Sequence, residues 1–90
     1  MADSNNQNPA ENRVALIGII VEDLAMSDKI NDIIHEFSSY VVGRMGIPYR
    51  HRGVGIISIV IDAPAGVISS ISGKMGMLRN VSVKVQYTKI

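Results

Sequence analysis

The chain of 90 residues contains no cysteine and no tryptophan, and its aromatic residues are one phenylalanine and three tyrosines. Without thiols it cannot form disulfides, thiolate metal sites or iron–sulfur clusters held by cysteine, and it has no cysteine nucleophile. The shortage of aromatic residues argues against the base-stacking platforms of RNA-binding sheets.

Charge and long apolar runs are also scarce. The formal net charge is +1, so no overall field attracts nucleic acid or an anionic membrane surface. No apolar run approaches the ~20 residues that a membrane-spanning helix needs, and the first residues lack the pattern of a secretory signal. We therefore expect a cytoplasmic protein that binds neither membranes nor nucleic acid directly.

Aliphatic residues, by contrast, are abundant, with 14 isoleucines and 10 valines. Their densest run lies between Gly53 and Pro64, where Ile56, Ile57 and Ile59 to Ile61 are broken only by Ser58. A short β-branched run bounded by glycine and proline is typical of a central strand with apolar residues on both faces.

The remaining segments divide the chain into a polar tail, residues 1–12, predicted to be disordered, and one domain, residues 13–90. The first strand is predicted over Arg13–Val21, again apolar on both faces, with Gly18 indicating a bulge or a close backbone approach. A helix is predicted over Ser27–Ser39, with Ser27 as its N-cap, because Ile30, Ile33, Ile34 and Phe37 recur at helical spacing.

The second half of the chain gives three more elements. A short strand is predicted over Tyr40–Met45, followed by a loop over Gly46–Gly53. After the central strand, a second helix is predicted to begin at Pro64 and to end at Gly76. Residues Val81–Thr88 alternate between apolar and polar side chains, which is typical of a half-exposed strand.

The order β-α-β-β-α-β predicts an α+β, ferredoxin-like fold with a four-stranded antiparallel sheet in the order 4-1-3-2 and both helices on one face. The central strands, 1 and 3, are the two that are apolar on both sides. Their second face would then be bare, and an exposed apolar patch of that size is unusual in a monomer. We expect a homo-oligomer, a dimer or a tetramer, joined through this sheet face with closed symmetry. The pattern leaves open which alternate residues face the partner.

The polar cluster of highest density lies around the loop between strands 2 and 3, at Arg44, Tyr49, Arg50, His51 and Arg52. Arginine forks in a defined loop can bind an anion or a nucleotide phosphate; the alternative is a solvated hairpin tip.

Asp32, His35 and Glu36 share one helical face, but a solvated face explains them better than a metal site does. No nucleophile, base and acid occur together, so we predict no catalytic residues, no metal site and no enzyme, and assign no cofactor.

Three segments, RVALIGIIVED, GRMGIPYRHRGVGIISIVIDAP and VSVKVQY, together resemble the iron-only hydrogenase system regulators, a family of small ACT-like proteins related in fold to the effector domain of the nickel-responsive repressor. The resemblance covers residues 13–88 and is most specific at Gly43–Tyr49 and Ile61–Pro64. It implies an oligomeric regulatory or ligand-sensing role. ACT domains bind small effectors near the first strand–helix turn, which here contains Glu22 and Asp23 but no glycine.

The leading hypothesis is a non-enzymatic ACT-like regulator whose effector binds at a subunit boundary near Glu22, Asp23 and Gly43–Gly53. The alternative is a partner-binding structural protein, such as an assembly factor for a metalloenzyme, with no small-molecule ligand. An acylphosphatase-like enzyme is disfavoured because the acidic turn after strand 1 would repel phosphate. We expect Ile59→Asp to dissociate or to unfold the protein, because an unpaired buried carboxylate is costly.

Overall fold

A computed structural model describes residues 11–89 as one sheet with two helices. The strands are β1 Asn12–Val21, β2 Val41–Tyr49, β3 Val54–Pro64 and β4 Val81–Tyr87, and the helices are α1 Ser27–Glu36 and α2 Ala65–Gly76. Single 3-10 turns occur at Leu24–Met26, Ser38–Tyr40 and Arg50–Arg52. Of the predicted tail, residues 1–10 lie outside this range, and Asn12 is already the first residue of β1.

The sheet is antiparallel with the order β2-β3-β1-β4. This confirms the predicted ferredoxin-like arrangement, with β1 and β3 in the centre. The two central strands pair along their whole length, from Asn12 opposite Pro64 to Val21 opposite Gly55. Strands β2 and β4 are the edges, so their packing demands are lower than those of β1 and β3.

The helices cover the odd-numbered residues of the two central strands. Ile17, Ile19, Ile59 and Ile61 are at most 1% exposed, because side chains alternate across a strand and this set faces α1 and α2. The helices contribute their own apolar stripes to the same core: Ile30 and Ile34 from α1, and Ile68, Ile71 and Met75 from α2. The sequence pattern left open which alternate residues are buried under the helices. The structure shows that these are the odd-numbered residues of β1 and β3.

The even-numbered residues of β1 and β3 lie on the opposite side of the sheet, here called the open face, which no helix covers. On β2 the odd-numbered residues from Gly43 to Tyr49 share this face, because they pair with even-numbered residues of β3. Its apolar side chains form two rows across the strands. One row holds Ile20, Ile56 and Ile47, and the other holds Leu16 and Val60. Between the rows, Gly18 pairs with Ser58 on one side and with Lys84 on the other. The open face therefore has two apolar ridges with a shallow trough at Gly18 and Ser58 between them, which Met45 on β2 and Lys84 on β4 bound at its two ends.

The structure corrects several predicted boundaries. Helix α1 ends at Glu36 rather than Ser39, and Phe37 caps it before a 3-10 turn. Its N-cap is Met26, not Ser27, and no side chain caps the first turn. Helix α2 begins at Ala65, one position after the predicted start at Pro64, which is instead the last residue of β3 and the N-cap of α2; Gly76 ends α2 as predicted.

The largest correction concerns β2, which extends to Tyr49 through the segment Gly46–Tyr49 predicted as loop. An edge strand tolerates glycine and proline because it has a partner on one side alone. The sheet's irregularity also lies in β2, where the register shifts between Val41 and Gly43, rather than at Gly18, which pairs in regular register with both neighbours.

Across residues 11–89, neither helix has the length and hydropathy required to span a membrane.

Candidate functional site

The predicted basic cluster lies where β2 turns into β3. Residues Arg50–Arg52 form a 3-10 turn that closes at Gly53, whose φ of 70° lies in the left-handed region that favours glycine. The rings of Tyr49 and His51 lie 6.0 Å apart at a tilt of 53°. The three basic side chains are exposed and project from a turn with defined backbone geometry, which suits an anion that approaches from solvent.

The acidic turn after β1 lies at the same end of the sheet. Val21 pairs with Gly55, so Glu22 is level with the start of β3. Two strand spacings, about 10 Å, separate it from β2. The Glu22 backbone N–H donates to the Asn80 carbonyl at 2.8 Å, which ties this turn to the segment before β4. Within residues 11–89, no ion pair joins the acidic turn to the basic cluster.

Asp23 has a structural role in this turn. Its Oδ1 accepts a hydrogen bond from the Ala25 N–H at 3.0 Å, and its carbonyl accepts one from the Met26 N–H at 2.9 Å. The side chain thereby caps the 3-10 turn Leu24–Met26, which leads directly into α1. One carboxylate oxygen is thus already engaged with the backbone.

Replacing Asp23 with alanine should lower the free energy of unfolding by about 1 kcal/mol, the usual cost of losing a cap. Asp23→Asn and Asp23→Ser keep an acceptor and should lose less than half of that. Urea denaturation of the three variants at equal protein concentration measures the difference. Equal stability of Asp23→Ala and the wild type would show that the cap contributes nothing.

Arg44 does not join the hairpin cluster. It pairs with the buried Ile59 and therefore lies on the helix side of β2, about 17 Å along the strand from Tyr49 at ~3.3 Å per residue. Its Nη2 donates to Asn31 Oδ1 on α1 at 3.2 Å. The structure thus divides the predicted site into a hairpin end, with Glu22, Asp23 and Tyr49–Arg52, and a separate position at Arg44.

Arg44 lies in a groove between α1 and β2, here called the α1–β2 groove. It has two cavities that share Asn31 and Arg44. The larger, of about 530 Å³, has a mixed polar and apolar lining that includes Asp32, His35 and Ser38. The smaller, of about 270 Å³, is mainly apolar and includes Val21, Leu24 and Ile57. Cavities of this combined size are typical of small-ligand sites.

Asn31 is a groove residue that sequence reasoning did not name, Ser27 was named only as a helix cap, and His35 was considered only as a metal ligand and interpreted as solvated. Asn31 and His35 are four apart on one helix face, and the facing strand carries Arg44 and Gly46. The helical spacing of Asn31 and His35 could be recognised in the sequence. The groove itself could be recognised only with the knowledge that β2 continues past Met45. The exposed side of α1 was predicted to be solvated. For Glu36 this is confirmed, because its carboxylate is exposed where it forms an ion pair with Lys74 Nζ at 2.8 Å. No cluster of three or more metal-ligating side chains occurs between residues 11 and 89.

Comparison with known proteins places this geometry in a family. A family model described as "TM1266-like: Iron-only hydrogenase system regulator, putative" matches residues 13–85. The solved structure of the uncharacterized protein TM1266 from Thermotoga maritima is similar with a TM-score of 0.83 and 32% sequence identity, and the alignment covers 88% of this chain and 100% of that one.

A second solved structure shares the fold alone. A formyltetrahydrofolate deformylase from Pseudomonas putida KT2440 matches with a TM-score of 0.60 at 11% identity, over 81% of this chain and 28% of the deformylase. No curated protein matches the sequence.

Proposed function

Because the chain belongs to the TM1266-like family of iron-only hydrogenase system regulators, we propose that it is a small non-catalytic regulator that works as a homo-oligomer and responds to a small effector. The observation that carries this proposal is the open face of the sheet. Its central strands are apolar on a side that the chain's own helices leave bare.

The exposure of the open face is large for such a small domain. Met45 is 56% exposed, Ile47 45% and Leu16 44%. Ile47 and Leu16 belong to the two apolar ridges, and Met45 lies between the ridges on the edge strand, next to Ser58. Contiguous apolar patches of more than a few hundred Å² on soluble proteins usually mark an interface. Each side chain of this kind that becomes buried contributes about 1.5–3 kcal/mol.

A second copy suits this surface because its relief is self-complementary. The ridges of Ile20, Ile56 and Ile47 and of Leu16 and Val60 flank the trough at Gly18 and Ser58. A copy related by a two-fold axis can seat a ridge in the trough, and a two-fold interface uses the same patch on both subunits. The charged residues Asp62 and Lys84 lie toward opposite edges of the face, where they would form a polar rim.

Effector sensing rests on two positions, the hairpin end of the sheet and the α1–β2 groove. The hairpin end offers Arg50, His51 and Arg52 to an anion, and the α1–β2 groove offers Arg44 beside an apolar cavity. Assembly across the open face places the hairpin end of each subunit at a boundary, since Tyr49 and Val54 are on the open side of the sheet. A bound effector there would contact two subunits and so bias their association.

Native mass spectrometry and sedimentation velocity over a range of protein concentrations test the assembly. We expect a discrete multiple of the 9.8 kDa protomer mass, with two or four copies, persisting at micromolar concentration. A well-behaved 9.8 kDa species at the highest concentration would contradict the homo-oligomer. A complex that forms solely with a different protein would favour the structural, partner-binding alternative.

A further inference from the structure

The smaller cavity of the α1–β2 groove exists because two glycines face the helices from β2 and β3. Gly46 pairs with Ile57, and Gly55 pairs with Pro48, on the side of the sheet that carries the core. A Cβ built on Gly46 would meet nothing within 4 Å, whereas one on Gly55 would touch Leu24 Cδ2 at 3.6 Å. The space above Gly46 is therefore empty, and the space above Gly55 is closed by Leu24.

The lining of this cavity is apolar at one end and cationic at the other. Val21, Leu24 and Pro48 supply the apolar end, and Asn31 and Arg44 supply the polar end. Its volume of about 270 Å³ is close to the lower end of the range for small-ligand sites, about 300 Å³. That size fits a short aliphatic molecule with one polar head.

Arg44 is equipped to bind that head. A guanidinium has five N–H donors, and the hydrogen bond to Asn31 Oδ1 at 3.2 Å engages one of them. Within residues 11–89, Arg44 forms no ion pair, and the smaller cavity has no carboxylate in its lining. Asp32 lines the adjoining larger cavity but forms no ion pair with Arg44. A planar guanidinium with a free side is suited to a bidentate carboxylate.

We propose that the α1–β2 groove binds a small aliphatic monocarboxylate, with its carboxylate on Arg44 and its chain in the space above Gly46. The assignment rests on the proposed effector sensing and names the class of effector. An amino acid fits less well, because no carboxylate in the smaller cavity could accept its ammonium group. The site lies within one protomer, so its occupation does not require the assembly.

The test is a titration of the isotope-labelled full chain with 4-methylpentanoate, followed through backbone amide shifts. We expect saturable shifts at Asn31, Arg44 and Gly46, with a Kd of about 1 mM, as befits a ligand with few atoms. 4-Methylpentan-1-ol lacks the charge, and leucine adds an ammonium group. Both should bind about tenfold more weakly.

Substitutions at Arg44 and at Gly46 test separately the contact to the carboxylate and the contact to the aliphatic chain of the ligand. Arg44→Met keeps the length of the side chain but removes the charge, and it should weaken 4-methylpentanoate binding at least tenfold while leaving binding of the alcohol unchanged. Arg79→Met, in the exposed segment before β4, is the matched control and should bind as the wild type does. Gly46→Ala should weaken binding modestly and Gly46→Val should abolish it, because the added carbon atoms fill the cavity.

Wild-type binding that survives both Arg44→Met and Gly46→Val would overturn the proposal, as would shifts confined to residues outside the groove. Equal competition by inorganic phosphate would also overturn it, because the aliphatic chain of the ligand would then contribute nothing to binding. Thermal denaturation of each variant verifies that it is folded. Sedimentation velocity on the same samples distinguishes the two proposals: an oligomer without binding contradicts this one alone, and a monomer with Arg44-dependent binding contradicts the assembly alone.

Discussion

Ile59→Asp is expected to unfold the chain. Ile59 is 1% exposed, lies in the middle of a central strand and packs in the core that α1 and α2 cover. A carboxylate at that position has no buried partner, since residues 11–89 bury no polar or charged side chain. The cross-strand neighbour Arg44 is exposed on the edge strand and hydrogen-bonds to Asn31. Burying it costs several kcal/mol. That cost, with the lost isoleucine packing, is comparable to the whole stability of about 5–13 kcal/mol expected for a domain of this size.

Circular dichroism and a one-dimensional proton NMR spectrum at neutral pH measure this outcome. We expect loss of sheet signal and collapse of methyl dispersion. Ile59→Val is the matched control, and it should stay folded with a loss of about 1 kcal/mol, as for a single methyl group. The sequence alone left dissociation and unfolding both open; the burial of Ile59 on the helix side selects unfolding. A folded Ile59→Asp protein would contradict the placement of Ile59 on the buried side of β3 that the helices cover.

Leu16→Asp should leave each protomer folded but dissociate the oligomer. Leu16 is 44% exposed in the isolated chain and lies on the open face, opposite Val60 and Gln86. In a protomer the new carboxylate stays in water. In the assembly it would be buried against an apolar ridge of the partner, and in a two-fold interface the same substitution enters twice. We expect the dissociation constant to rise by at least a thousandfold, which corresponds to about 4 kcal/mol.

Sedimentation velocity combined with circular dichroism separates this effect from unfolding. The expected result is a native spectrum with a mass of one protomer. Ser70→Asp adds the same charge on the exposed side of α2 and should keep the mass of the wild type. A Leu16→Asp protein that retains the wild-type mass would show that another surface joins the subunits.

Much of the fold could be predicted from periodicity. The two central strands were recognisable because their isoleucines and valines occupy both alternations, and β4 because its valines alternate with polar residues. The elements that pattern missed are those whose environment overrides local composition. Gly46 and Pro48 are typical of loops, yet they continue β2 because an edge strand has neighbours on one side. Phe37 extends the apolar stripe of α1, but the chain leaves the helix there to enter a 3-10 turn.

The candidate site was harder to predict, because it depends on which elements face each other. The Arg50–Arg52 cluster is contiguous in sequence, and the structure keeps it together at one turn. Arg44 was grouped with it by proximity along the chain, but Arg44 lies on the helix side of β2 and the cluster lies in the turn that follows β2. Asn31 and Arg44 are 13 residues apart and meet through the packing of α1 over the edge strand. Nothing in local sequence marks such a pair, because the contact is tertiary.

The irregular edges of the sheet bear on how assembly stops. Strand β2 carries a register shift between Val41 and Gly43, together with Pro48, and β4 carries Lys84. Bulges, prolines and lysines are the features that discourage a further strand from adding to an edge. Growth of the sheet from chain to chain, which would end in fibrils, is thereby disfavoured. The proposed contact through the open face would instead close on itself after a fixed number of copies, which would give a particle of defined size in place of a polymer.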